Sequence, residues 1–320
     1  MTWFRALTGL ESDEPAMVRA AVQVQGQTLI MPNGRHLVAG RLDIPALADL
    51  APPPRGPNRL RLREVVADVA ALHADPANAG AVFQVASQFN LLEMVGPDVT
   101  PDQGIARYAH DRTQGPACAM ACAAGTIWRN YLVPMGDQRG QSAARQIDTL
   151  ADLGTALGNT TEALWQMRNG YALPKPGGLA RVADQIAAGD RAALKGLVRI
   201  GVQHDTQVTL GLAAHLVTQV YASALPIAYA PAPLADWQPL ARLVLEAAYD
   251  ATFAVAAQTA LQTGVNRLYL TRLGGGAFGN PPGWITDAIV QAITRFSACD
   301  LDVVLVSYGR PDPANRALLH

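Results

Sequence analysis

The sharpest chemical signal in the chain is Gly274-Gly275-Gly276-Ala277-Phe278-Gly279, inside the segment Leu273–Asn280, which we name the glycine loop. Glycines leave backbone N–H groups open because they have no Cβ atom. The loop stands between a predicted strand and a predicted helix, where α/β sheets bind ligands and a helix N-terminus adds positive charge. We predict that it binds a phosphate or diphosphate. A turn that needs unusual dihedral angles is the plainer interpretation.

The spacing of Gly274, Gly276 and Gly279 also satisfies GxGxxG, so a Rossmann-type nucleotide-binding oxidoreductase is an alternative. Only one predicted strand follows the loop, however, and it ends Val306-Ser307-Tyr308, without the acid that would hold an adenine ribose. The Walker pattern is absent, because no Gly-Lys-Ser or Gly-Lys-Thr follows. A lone GxGxxG is weak evidence and does not assign the loop to a Rossmann fold; the strand–loop–helix context is what favours a phosphate site.

Acidic side chains form a second candidate region, after a predicted strand at residues 81–86: Glu93, Asp98, Asp102 and Asp111. Carboxylates can orient or deprotonate a water, and they stabilise the oxocarbenium-like state of ribosyl C–N cleavage. Plainer interpretations exist for two of them. Asp102 occupies a predicted helix start, which favours negative charge, and Asp111 stands beside Arg112, as in an ion pair. A plain role as a solvated surface charge fits Glu93 least well, because its neighbours in Leu-Leu-Glu-Met are apolar.

The other reactive side chains show no catalytic or metal-binding spacing. The 6 histidines are scattered, so no metal ligands and no cofactor are expected, and no GxSxG indicates a serine hydrolase. His110, beside Asp111, is more typical of a surface loop than of an acid–base group. Cys118 and Cys122 are predicted to be small core residues rather than reactive thiols. Core positions rather than adenine stacking are predicted for the aromatic residues Trp128, Tyr131, Trp165 and Tyr171.

Alternating strands and helices are predicted to position both regions. Strands are predicted at 81–86, 197–202, 207–210, 216–221, 267–271 and 302–306. Helices are predicted at 45–50, 61–73, 117–127, 143–157, 178–188, 239–263 and 282–296. This order indicates an α/β fold with parallel strands and helices on the sheet faces. Residues 1–57, with a predicted hairpin at 19–31 and a Pro-rich linker at 51–57, are interpreted as an accessory segment before one domain at 58–320.

Composition excludes several classes of protein. Half of the 320 residues are apolar and the net charge is −1, so neither a nucleic-acid partner nor a membrane partner is expected. The 3 cysteines form no pattern of a disulfide framework. Because the first residues carry no apolar run, we expect a cytoplasmic protein, with signal-independent secretion left open.

The segment Leu268–Asn280 resembles the second ligand loop of macrodomains and poly(ADP-ribose) glycohydrolases. That resemblance implies a three-layer α/β/α fold with a mixed sheet, and ADP-ribose as the ligand. The region that contains Phe83–Glu93 and Tyr108–Pro116 is similar to a divergent macrodomain group of bacterial effectors that remove ADP-ribose from arginine. It lacks the usual glycine-rich continuation of the first ligand loop.

The resemblance also implies roles for individual residues. Catalytic roles fall to Glu93, Asp102 and Asp111. Ligand-binding roles fall to Ala86, Gln88, Asn90, Thr113, Gly274, Gly275, Gly276, Ala277, Phe278, Gly279 and Asn280. The expected function is an ADP-ribosylhydrolase acting on ADP-ribosylated protein, with arginine as the modified side chain. A non-catalytic ADP-ribose reader is the alternative, since a reader needs the glycine loop but not the three acids.

Overall fold

The computed structural model describes residues 2–319. The strands are β1 Gln23–Gln25, β2 Thr28–Ile30, β3 His36–Val38, β4 Arg41–Asp43, β5 Arg61–Val66, β6 Val82–Ala86, β7 Pro134–Met135, β8 Gln138–Arg139, β9 Trp165–Arg168, β10 Tyr171–Pro174, β11 Gly201–Gln207, β12 Leu216–Ala222, β13 Arg267–Leu270 and β14 Asp302–Ser307. The helices are α1 Trp3–Thr8, α2 Pro15–Ala21, α3 Val69–Ala74, α4 Gln114–Ala121, α5 Ala123–Ile127, α6 Ala151–Ala156, α7 Gly178–Ala188, α8 Arg191–Gly196, α9 Leu234–Thr263, α10 Pro282–Arg295 and α11 Pro313–Arg316. Short 3-10 helices and one π-helical turn, Trp128–Leu132, complete the chain.

Seven strands form the central sheet in the order β4-β11-β12-β6-β13-β14-β5. The five strands from β12 to β5 are parallel, and β4 and β11 extend the sheet with antiparallel pairing. Parallel strands need crossover connections, and the helices between them supply these. The predicted α/β class with a mixed sheet is confirmed.

Helices cover both faces of the sheet, as the alternation along each strand requires. In β6, Val82 packs into one core with α9 and α10, whereas Phe83 and Val85 pack into the core beneath α3 and α4. In β13 and β14 the neighbouring pairs Leu268/Tyr269 and Val303/Val304 divide in the same way. The three-layer α/β/α architecture is therefore confirmed.

The predicted helix at 61–73 is wrong in its first half. Residues 61–66 form β5, a parallel edge strand paired with β14, and only Val69–Ala74 is helical. Alternating exposure along β5 and the β-branched Val65 and Val66 favour a strand. Asp68 then begins α3, because its carboxylate accepts the Ala70 N–H at 2.7 Å.

Three other predicted elements change. Residues 197–202 and 207–210 do not pair with each other, because strand β11 runs through 201–207 and pairs with β12. The pairing is irregular between Gln203 and Thr206, where Asp205 has a φ of 51°. The hairpin predicted at 19–31 is confined to 23–30, because α2 continues to Ala21. Of the helix predicted at 143–157, only Ala151–Ala156 forms.

The N-terminal segment packs closely on the rest of the chain. Strand β4 is an edge strand of the central sheet. Phe4, Val18 and Leu29 share a buried cluster with Leu92 and Tyr108, from the region that follows β6. The segment therefore contributes to the core, and its treatment as a separate accessory unit stays a prediction. In residues 2–319 no helix is both long enough and apolar enough to cross a membrane.

Candidate functional site

Three loops meet at the carboxyl edge of the parallel strands, the edge where α/β sheets bind ligands. We name residues 87–113, after β6, the acidic loop, and residues 223–229, after β12, the β12 loop. The glycine loop follows β13. Because β6 pairs with β12 on one side and with β13 on the other, the topology brings the three loops together.

Internal hydrogen bonds fix the glycine loop. Gly274 and Gly279 have φ angles of 74° and 72°, which disfavour residues with a side chain. The N–H of Asn280 donates to the carbonyl of Gly274 at 2.9 Å. The buried side chain of Asn280 donates from Nδ2 to Leu225 O at 2.8 Å, which joins the glycine loop to the β12 loop. The predicted ligand residue Asn280 thus holds the loop together.

The tip of the loop presents unpaired donors. Among residues 2–319, the backbone N–H groups of Gly276, Ala277 and Phe278 donate to no protein acceptor. Gly276 and Ala277 are exposed, and a Cβ at Gly276 would have no atom within 4 Å. Three successive free N–H groups of this kind can donate to an anion. The donors are those of the loop rather than of α10, because Pro281 and Pro282 have no N–H there.

An aromatic cluster links the loops. The ring centroid of Tyr171 lies 5.0 Å from that of Tyr229 and 5.3 Å from that of Phe278. The hydroxyl of Tyr171 donates to Met94 O at 2.8 Å, so the cluster also contacts the acidic loop. Tyr171 is buried, as predicted, but its ring packs against the glycine loop. Sequence reasoning missed Tyr229, because a lone tyrosine in a 3-10 turn has no recognisable pattern.

Asp111 is a half-buried acid at the end of the acidic loop. Burial raises the pKa of Tyr171, and the charge of Asp111 is a smaller cause in the same direction. Oδ1 of Asp111 accepts hydrogen bonds from N (2.9 Å) and Oγ1 (2.7 Å) of Thr113. The structure shows no ion pair between Asp111 and Arg112 in the described part of the chain. The predicted ligand residue Thr113 therefore orients Asp111, whose Oδ2 is left for another partner.

Asp102 lies elsewhere on the acidic loop. It belongs to the 3-10 turn Pro101–Gln103, and its exposed carboxylate accepts the Ala143 N–H at 2.7 Å. Asp98 is also exposed and forms an ion pair with Arg168. Both acids have structural partners, and in neither case does the structure show a contact with the glycine loop.

Glu93 is buried beneath the acidic loop, with about 1% of its side chain exposed. Its two carboxylate oxygens have no hydrogen-bond partner among the described residues, and Nη2 of Arg129 lies 3.8 Å from Oε1. Burial raises the pKa of Glu93 to about 8, although the charge of Arg129 opposes the shift. The structure therefore does not bring the three predicted acids to one surface, and a catalytic role for Glu93 stays a prediction.

The remaining predicted ligand residues shape the start of the acidic loop. The N–H of Ala86 donates to Gln114 Oε1, and Gln88 Oε1 accepts the Met94 N–H, both at 2.8 Å. Asn90 is fully buried and donates to Gln146 Oε1 at 2.8 Å. The next residue, Leu91, has a φ of 62°, which costs a branched residue on the order of 1 kcal/mol or more. This part of the loop is held in a strained conformation by its contacts.

Other candidate sites are less suited to a ligand. Two depressions, of roughly 550 and 360 Å³, lie away from the three loops. The first is lined mainly by α6, α7 and α8, and the second by β4 and α9. The charged groups of the second are already paired, as with Arg199 and Asp152. No group of three His, Cys, Asp or Glu side chains in residues 2–319 is placed to hold a metal ion.

Comparison with solved structures finds distant likenesses. One is poly(ADP-ribose) glycohydrolase from Deinococcus radiodurans in complex with ADP-ribose: TM-score 0.44, 12% identity, covering 97% of this chain and 100% of that one. Another is poly(ADP-ribose) glycohydrolase from Thermomonospora curvata bound to the inhibitor ADP-HPD: TM-score 0.40, 14% identity, 95% and 94%. A third is the Oceanobacillus iheyensis macrodomain with MES bound: TM-score 0.36, 10% identity, 87% and 94%. Likenesses of this size assign neither family nor activity. No protein-family model and no curated protein matches the chain.

Proposed function

We propose that the protein binds ADP-ribose and hydrolyses the N-glycosidic bond between ADP-ribose and an arginine side chain. The observation that carries the proposal is the junction of three free backbone N–H groups, at Gly276, Ala277 and Phe278, with an aromatic cluster and a half-buried acid. The N–H groups are suited to bind the diphosphate, and the ring of Phe278 is suited to contact the distal ribose. Asp111 would act on the reaction at the ribose carbon.

The proposed reaction needs only water and the substrate. The oxygen of a water attacks the anomeric carbon of the distal ribose as the bond to the guanidine nitrogen breaks. The water proton passes to the leaving guanidine, directly or through a carboxylate. Oδ2 of Asp111 would orient that water or a ribose hydroxyl, because Thr113 already occupies Oδ1. A guanidinium leaving group is suited to a loop rich in carboxylates.

An ADP-ribose reader is the second candidate. It is favoured by one observation, the burial of Glu93, which removes one of the three predicted acids from contact with a ligand in this conformation. A reader would need the free N–H groups and the aromatic cluster but no acid at the ribose.

Two measurements on the full-length chain test the proposal. Calorimetric titration with ADP-ribose, NAD and ATP in parallel is expected to show selective binding of ADP-ribose. Release of ADP-ribose from proteins modified on arginine, glutamate or serine is expected for the arginine linkage. Binding without release from any substrate would favour the reader. Binding of NAD in preference to ADP-ribose would contradict the proposal and favour the oxidoreductase alternative.

A further inference from the structure

We propose that the π-helical turn Trp128–Leu132 positions the acidic loop for catalysis, with Arg129 as the central positioning residue. This inference rests on the proposed function. π-Helical turns are rare in proteins and occur frequently at functional sites. This one lies outside the three loops of the candidate site, so its role would be exerted through the loop that it contacts.

Three consecutive side chains of the turn hold the acidic loop at three points. Arg129 donates from Nε to Leu91 O at 3.0 Å, and Asn130 donates from Nδ2 to Pro101 O at 3.2 Å. The hydroxyl of Tyr131 accepts the N–H of Ile105 at 3.1 Å. All three side chains are fully buried. These contacts fix the strained Leu91, the 3-10 turn that carries Asp102, and the start of the segment that leads to Asp111.

The neighbours of Arg129 hold its guanidinium in place but leave one of its nitrogen atoms without a hydrogen bond among the described residues. Its Cζ lies 3.6 Å from the centroid of the Tyr221 ring, and Nη2 donates to Thr126 Oγ1 at 3.2 Å. Among the residues that the structure describes, Nη1 of Arg129 and both oxygens of Glu93 make no hydrogen bond. A buried arginine–glutamate contact with unpaired polar atoms is weak support for stability, since apolar side chains of similar volume often serve as well. Its arrangement is better explained by the loop geometry that it sets.

Gln141 adds a second hold at the same place. Its Nε2 donates to Asn90 O at 3.0 Å and to the carbonyl of Arg129 at 3.1 Å. The carbonyls of residues 90 and 91, in the peptides before and after the left-handed Leu91, are thus both bound. Backbone strain persists where the surrounding contacts over-determine it. Loosening these contacts should let the acidic loop relax.

Relaxation of the acidic loop would affect the chemical step more than product binding. The acids and the diphosphate donors lie on loops that follow different strands, β6 and β13. Small displacements of a catalytic group can cost on the order of a hundredfold in rate. We therefore expect a fall in hydrolysis rate with little change in ADP-ribose affinity.

The experiment compares Arg129→Lys and Asn130→Ala with the wild-type chain. Arg129→Met is unsuitable, because removing one partner of the buried contact with Glu93 is itself strongly destabilising. Arg129→Lys keeps the charge and loses the planar fork that reaches Leu91 O and Thr126. The control is Arg199→Lys, which alters a half-buried arginine whose side chain donates to Asp152 and to Ile44 O.

Three quantities are measured: the single-turnover rate of hydrolysis, the affinity for ADP-ribose and the rate of amide hydrogen exchange. Both variants should lower the rate by about tenfold or more. Exchange should accelerate in residues 91–111 and not in α9. The control Arg199→Lys should change neither the hydrolysis rate nor the exchange of residues 91–111. Unchanged exchange in the acidic loop of both variants, or equal acceleration in α9, would overturn the inference. If the wild-type chain hydrolyses no substrate, the proposed function fails, while the exchange measurement still decides whether the turn holds the loop.

Discussion

Asp111 is the acid with the best placement for chemistry at the scale of single residues. It is half-buried, Thr113 orients it, and its charge contributes to the raised pKa of Tyr171 in the aromatic cluster. Asp111→Asn keeps the shape and removes the negative charge. We expect the hydrolysis rate to fall by about a hundredfold or more, because a general base or an electrostatic stabiliser is lost. ADP-ribose affinity should change far less.

The matched control for Asp111 is Asp98→Asn, in the same loop. Asp98 is exposed and paired with Arg168, and exposed ion pairs contribute at most about 1 kcal/mol. Its rate should remain close to that of the wild type. Equal losses in the two variants would show that the loop responds to its total charge and would count against a specific role for Asp111.

Glu93 gives a prediction for the pH dependence of stability. Its pKa is raised from 4.5 to about 8 by burial, so the folded state holds a proton that the unfolded state releases. The contribution of this group to stability is present in full below pH 4.5 and is lost as the pH rises towards 8. Glu93→Gln should therefore gain stability relative to wild type between pH 5 and pH 8. Denaturant unfolding at both pH values measures the difference. A constant difference would show that Arg129 keeps Glu93 charged.

At the scale of elements, the glycine loop separates positions needed for folding from positions open to the ligand. Gly276 has no positive φ, and a Cβ there meets no atom within 4 Å. Gly276→Glu should therefore fold normally and abolish ADP-ribose binding, because it places a negative charge on the residue that carries one of the three free N–H groups. Calorimetry and a thermal unfolding curve measure the two effects.

The control for Gly276→Glu is Leu212→Glu. Leu212 is fully exposed in the connection from β11 to β12, at the amino edge of the parallel strands. The same charge is added there, on the opposite edge of the sheet, and ADP-ribose affinity should not change. A folded Gly276→Glu variant with wild-type affinity would rule out the glycine loop as the diphosphate site.

At the scale of the whole molecule, the N-terminal segment supports the back of the acidic loop. Asp13 Oδ2 accepts the Ala106 N–H at 2.7 Å, and Trp3 Nε1 donates to Ala106 O at 2.9 Å. Removing residues 2–57 would also expose Leu92 and Tyr108, which share a core with that segment. Each large apolar side chain that loses burial costs about 1.5–3 kcal/mol, and several such losses approach the whole stability of a domain.

We therefore expect the chain 58–320 to lose cooperative unfolding. Near-ultraviolet circular dichroism and denaturant titration measure this, with the full chain as the reference. A cooperative transition at the wild-type midpoint would instead establish residues 1–57 as an accessory unit, as the linker composition of 51–57 predicts.

The sequence by itself determined the elements whose signals are local. A short apolar run between polar segments was sufficient for β6, and the same holds for β13 and β14. Helical periodicity located α7, α9 and α10. Glycines between a strand and a helix located the glycine loop, because the absence of Cβ atoms marks such a turn from residue type alone. Which N–H groups remain free was decided by the folded loop. The edge strand β5 was missed, since its few apolar residues fit a helical spacing as well.

Tertiary structure alone decided what each side chain faces. Glu93 and Asp111 are acids of one loop, yet the first is buried beside Arg129 and the second is half-buried and held by Thr113. Desolvation depends on the elements that fold over a group, and those are distant in sequence. For the same reason Tyr229 and Arg129 gave no sequence signal: the contacts that define their roles, with Tyr171 and Leu91, form only when the chain packs.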